Sequence, residues 1–130
     1  MRARRWRSGQ QALALVAIAV LVGCGVDRAD RSGAPELSLD QMITCAAFHD
    51  AEMLRLTQRG GDDAAFNASK ALSSDWGLAA AATGFEASLT PGDVAVRISV
   101  ETEELYVASG VEPEFYAAIR ARCAVFEAAP

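Results

Sequence analysis

The chain has 130 residues, 12 of them basic and 17 acidic, for a net charge of −5. That length bounds it to one small domain, with too little chain for several cores. The acidic balance disfavours nucleic acid and anionic headgroups as partners, and no basic patch offsets it.

Arg2, Arg4, Arg5 and Arg7 precede an apolar run from Ala12 to Val22, and Leu21-Val22-Gly23-Cys24 closes it. Basic residues, an apolar stretch and small residues at its end are the layout of an export leader. A membrane-spanning helix needs about 20 apolar residues. The 11 residues of Ala12–Val22 fall short of that. Leu21-Val22-Gly23-Cys24 resembles the lipobox of bacterial lipoprotein signal peptides. The resemblance implies that residues 1–23 are removed and that Cys24 carries acyl chains. Each buried CH₂ contributes about 0.8 kcal/mol, so several chains together make a durable anchor. In such lipoproteins an aspartate after the lipidated Cys commonly retains the protein in the inner membrane. Gly25 stands there instead, which implies the outer membrane, facing the periplasm. Arg4-Arg5 is similar to a twin-arginine signal, but Arg7 stands where that signal has an apolar residue, so the general secretory route is expected.

From Cys24 onward the chain holds 8 basic and 17 acidic residues, a net charge of −9. Residues 24–37 mix charge, Gly and Pro without periodicity and read as a tether. Residues 38–130 then form the folded domain.

Ser38 followed by Gln41 is a capping-box signature, and Leu39, Met42, Ile43, Ala46, Met53 and Leu54 recur at helical spacing. A first helix is predicted over about 38–59, stopped by Gly60-Gly61. Asp62 or Asp63 caps a second over about 63–83, with Phe66, Leu72, Trp76 and Leu78 as its apolar positions. Gly77 costs this helix about 1 kcal/mol relative to Ala, and a break near Ser73-Ser74 is conceivable. Thr90-Pro91-Gly92-Asp93 suits the start of a third helix over about 92–109. Yet Val94, Val96, Ile98 and Val100 alternate with other residues at a strand period, so a β-hairpin over 85–100 is the alternative. Pro113 opens a fourth helix over about 113–128, with Phe115, Ile119 and Phe126 as its stripe and Tyr116 and Cys123 at one edge. The predicted fold is a small all-α, up-down four-helix bundle.

With Cys24 lipidated, Cys45 and Cys123 remain, and an exported pair is expected to be a disulfide. In an up-down bundle the first and fourth helices are antiparallel neighbours, which sets the two cysteines at similar heights. Closing a loop of nearly 80 residues is worth about 4–5 kcal/mol in the chain-entropy model. No Cys-x-x-Cys supports a redox or haem role.

On the first helix His49 and Asp50 fall inside the apolar arc, whereas Phe48 falls on the polar side. A buried carboxylate requires a partner, and Arg97, Arg120, Arg122 and Lys70 are the candidate cations for Asp50. His49 and Asp50 form the candidate buried polar site. His49 is the only histidine and Cys45 is expected to be oxidised, so no metal and no cofactor are expected. No nucleophile elbow or phosphate loop occurs, and Glu101, Glu103 and Glu104 read as a solvated acidic cluster. The expectation is a membrane-anchored envelope lipoprotein whose helical domain has a non-enzymatic binding or structural role toward a protein partner. A carrier or sensor of a small apolar ligand is the first alternative, and a periplasmic inhibitor or chaperone the second. The two-cysteine order behind an export signal is similar to many small helical proteins exported by proteobacteria, a likeness of architecture only.

Overall fold

A computed structural model describes residues 36–128, and all regular structure there is α-helical. The expected leader, Cys24 and most of the expected tether lie outside the described residues. Helix α1 is Leu39–Arg59, α2 Asp63–Glu86, α3 Pro91–Val111 and α4 Pro113–Glu127. Residues 37–128 form one compact unit with its own core.

The helix ends follow from local chemistry. Ser38 accepts from the Gln41 N–H while the Gln41 side chain returns a bond to the Ser38 N–H, as a capping box does. At the other end Gly60 takes a left-handed conformation with φ of 63°, where a side chain is disfavoured. Asp62 caps α2 through the Ala64 N–H. Thr90 and Asp93 form a second capping box with Pro91 at the first position of α3. Bonds from the Thr90 hydroxyl and N–H hold the exposed Asp93 carboxyl below the usual carboxylate range.

The hairpin alternative over 85–100 is therefore overturned. Residues 85–86 end α2, 87–90 form the turn, and 91–100 are helical. The alternation is a pair of i, i+4 rows on opposite faces of a helix. Val94 is buried and Ile98 partly buried, while Val96 and Val100 are 64% and 54% exposed. Helix α2 runs through Ser73-Ser74 without a break and ends three residues later than expected.

Helix α1 packs against all three others. Its segment Ile43–Ala51 is buried at every position except Thr44 and Asp50, which are partly buried. Phe48, expected on a polar side, is 3% exposed. The projection onto a single apolar arc fails because neighbours surround α1. Helix α2 returns antiparallel to α1, with Thr83 bonding Met42 near one end and Ser73 bonding Asp50 further along. Helix α3 runs alongside in the direction of α1, with Arg97 on Asp40 and Glu101 on Thr44.

Helix α4 meets the remaining side of α1 obliquely. Its Tyr116 touches Phe48 and Glu52, whereas Cys123 joins Cys45 and Glu127 reaches His49. Running along α4, the contacts step from one i, i+4 row of α1 to the next. The Cys45–Cys123 disulfide is formed, with Cα atoms 5.6 Å apart and 78 residues of separation. Of the expected α4 stripe Ile119 is buried and Phe126 packs partly buried against the core, whereas Phe115 is 50% exposed; Tyr116 and Cys123, expected at one edge, complete the buried face.

Two glycines of α2 have opposite settings. A Cβ on Gly84 would lie 2.7 Å from Val94 Cγ2, so Gly84 permits the close approach of α2 and α3 at their turn. A Cβ on Gly77 would meet nothing within 4 Å. Gly84→Ala should therefore lower stability by about 1–3 kcal/mol through overpacking against a stiff β-branched side chain. Gly77→Ala should raise it by up to about 1 kcal/mol through helix propensity. Urea unfolding of both variants checks this, and the reverse order of stabilities would contradict the packing described.

Candidate functional site

The polar residues of α1 separate into three settings within one turn, because 100° per residue sends neighbours to different helices. Glu52 faces α4, His49 faces the end of α4 and the middle of α2, and Asp50 faces α2 and α3.

Glu52 is the most heavily bonded carboxylate among the described residues. Its Oε1 accepts from the Tyr116 hydroxyl at 2.5 Å, from Arg55 Nη1 at 2.6 Å and from Arg120 Nη2 at 3.3 Å. The Arg55 guanidinium also lies 5.0 Å from the Tyr116 ring centroid, a cation–π contact. Burial alone pushes the Glu52 carboxyl up. The hydrogen bonds from Tyr116 and Arg55, with the charges of Arg120 and Arg55, outweigh it and set the carboxyl below its ordinary 4.5. Burial, reinforced by the bond to Glu52, pushes the Tyr116 phenol well above its usual range. The cluster clasps α1 to α4.

His49 is 6% exposed, and its Nε2 lies 2.6 Å from Glu127 Oε1. The same oxygen accepts from Trp76 Nε1 at 3.0 Å. His49 Nδ1 is buried without a partner among the described residues. Three helices meet at this one carboxylate.

Asp50 is partly buried, and Oδ1 accepts from the Ser73 hydroxyl at 2.5 Å. No basic side chain pairs with it among the described residues, which corrects the expected cation. Arg97 goes to Asp40 and Arg120 to Glu52, while Lys70 and Arg122 make no ion pair there. Nor do His49 and Asp50 form one polar site: their hydrogen-bond partners are on different elements. Asp50 instead lines an open groove of about 390 Å³ between α1, α2 and α3. Ala46, Asp50 and Leu54 form its floor as an i, i+4 row; Ser73 and Gly77 line the α2 side; Ile98, Ser99, Thr102 and Glu103 are on the α3 side. Its volume falls within the range of small-ligand sites, about 300–1,000 Å³.

Glu101 is not part of a solvated acidic cluster, since it accepts from Thr44 in a partly buried contact. Among the described residues, no group of three or more His, Cys, Asp or Glu side chains converges to hold a metal, and no helix is long and apolar enough to cross a membrane. Sequence reasoning missed Glu52, Glu127 and Trp76 as polar partners. Their one legible signal is amphipathic: Trp and Tyr carry a donor on an apolar body and need an acceptor when buried. No protein-family model, curated protein or solved structure matches this chain. Its class is accordingly defined by its own geometry, a disulfide-tied all-α bundle with a groove over its first helix.

Glu52→Gln should cost about 1–3 kcal/mol at neutral pH by weakening the bonds from Arg55, Arg120 and Tyr116. The unfolded carboxyl takes up its proton at higher pH than the folded one. The contribution is thus full above about 4.5 and lost as pH falls through the lowered folded value. Urea unfolding should therefore show a shallower decline for the variant as the pH falls below about 5. Identical acid slopes for the two proteins would refute the role given to Glu52.

Proposed function

We propose that the chain is an exported lipoprotein whose bundle is a non-enzymatic binding module held at a membrane surface. Residues 1–23 act as the leader, Cys24 carries the lipid, residues 24–37 are the tether, and residues 38–130 are the working domain. The Gly25 that follows Cys24 favours the outer membrane, facing the periplasm. The observation that carries this reading is the division of the three cysteines. One closes the lipobox-like stretch Leu21-Val22-Gly23-Cys24, and the other two form the Cys45–Cys123 disulfide. Disulfides persist in oxidising compartments outside the cytoplasm, where such a leader would deliver the chain.

The non-enzymatic part of the reading draws on the polar residues of α1. Glu52 and His49 are engaged by partners across helix contacts, and such engagement favours a structural role for both. The groove lined by Asp50 favours a carrier or sensor of a small ligand over an inhibitor or chaperone, which would use a broad surface.

Expression of the full chain in a Gram-negative host with labelled palmitate should give a tagged, membrane-bound product of reduced mass. Cys24→Ser should abolish the tag. Thiol titration of the denatured, unreduced product should find no reactive thiol. An untagged wild-type chain would overturn the anchor, and two reactive thiols would overturn the export of an oxidised fold.

A further inference from the structure

The groove over α1 carries three features that folding alone does not require. Asp50 projects a carboxylate into it with only Ser73 as partner among the described residues. Its second oxygen is left to accept from a further donor at the open groove. Gly77 lines the groove in the interior of a 24-residue helix, where glycine is unfavourable. Packing gives no reason for that glycine, because a Cβ there would meet nothing within 4 Å. The absent side chain preserves volume in the groove. Finally, Leu54 remains 44% exposed on the floor, beside Ile98, and offers an apolar surface next to the carboxylate.

An apolar surface, an uncompensated carboxylate and polar hydroxyls at the edge select a ligand of matching chemistry. We propose that the groove between α1, α2 and α3 binds a small organic ammonium ion, with Asp50 as its counter-ion, Leu54 and Ile98 against its hydrocarbon, and Gly77 leaving it room. The Asp50 oxygen not used by Ser73 accepts from the ammonium. Glu103 at the α3 rim adds a second negative charge at the entrance, and Ser99 offers a hydroxyl. An N⁺–H···O⁻ bond is charge-assisted and strong where water is partly excluded. The net charge of −9 from Cys24 onward also favours capture of cations over anions. A neutral alcohol would gain the apolar contact alone, and a carboxylate ligand would be repelled. This assignment rests on the reading of the bundle as a binding module and names what it binds.

The test uses the domain of residues 37–130, whose described part, 37–128, is a compact unit with its own core and disulfide. Hexylammonium, 1-hexanol and hexanoate are titrated against the isotope-labelled domain, followed by amide chemical shifts. Hexylammonium should give saturable shifts at Asp50, Gly77 and Ser99. 1-Hexanol should bind about tenfold more weakly, hexanoate not at all, and Asp50→Asn should cost hexylammonium about tenfold in affinity. Gly77→Leu should fill the groove and abolish the shifts while the melting temperature holds or rises. Should Asp50→Asn fail to fold, the Gly77→Leu variant and the alcohol comparison decide. No saturable shift, equal binding of alcohol and ammonium, or unchanged binding by Gly77→Leu would each overturn the proposal. The domain tested carries no lipid, so silence in the groove leaves the anchor standing, and an untagged Cys24 leaves the groove standing.

Discussion

The enclosure of α1 is the constraint on which the rest of the bundle depends. Seven of the nine residues from Ile43 to Ala51 are buried, and they point in every direction around the helix axis. A helix apolar around its whole circumference needs walls on all sides. Helices α2 and α3 supply two of them through short turns. The third is α4, only 15 residues long and laid obliquely across α1. The Cys45–Cys123 bond ties this short helix to α1. Phe48, Tyr116 and Ile119 then close the core beneath it.

Enclosure also decides the fate of the polar groups on α1. Glu52 and His49 lie under α4, where water is scarce, and each has taken partners from α4 or its own helix. Glu127 bonds His49 and accepts from Trp76, so one carboxylate ties α4 to α1 and α2. Asp50 points the other way, to where α2 and α3 do not close over α1. The two helices meet tightly at their turn, where Gly84 admits Val94, and leave a groove further along beside Gly77. One glycine thus permits contact while the other preserves space.

The helix starts were legible because capping is local chemistry. Ser38 with Gln41, Asp62, and Thr90 with Pro91 and Asp93 each act within three residues of themselves. Gly60 was legible as a stop for the same reason, since its left-handed backbone suits a residue without a side chain. The cysteine pair was legible from redox logic and helix order, although the crossing that joins them is oblique rather than side by side. Val94 to Val100 shows the limit of such reading. Alternation over seven residues fits a strand and also fits two opposed rows of a helix, and the Thr90 capping box tips the balance locally.

The sequence by itself determined the helix caps and stops, three of the helices within a few residues, and the residues available for the disulfide. The boundaries depend on neighbours a turn or less away, and the disulfide on there being two cysteines among the described residues. Only the tertiary structure decided that Phe48 is core, that Asp50 has no cation, and that Glu52 and Glu127 are the acceptors binding α4. Each of those outcomes depends on which helix covers which side of α1. A pattern along one helix records the sides that can be covered, but the crossing of α4 is set by residues about 70 positions away, and no local periodicity carries that information.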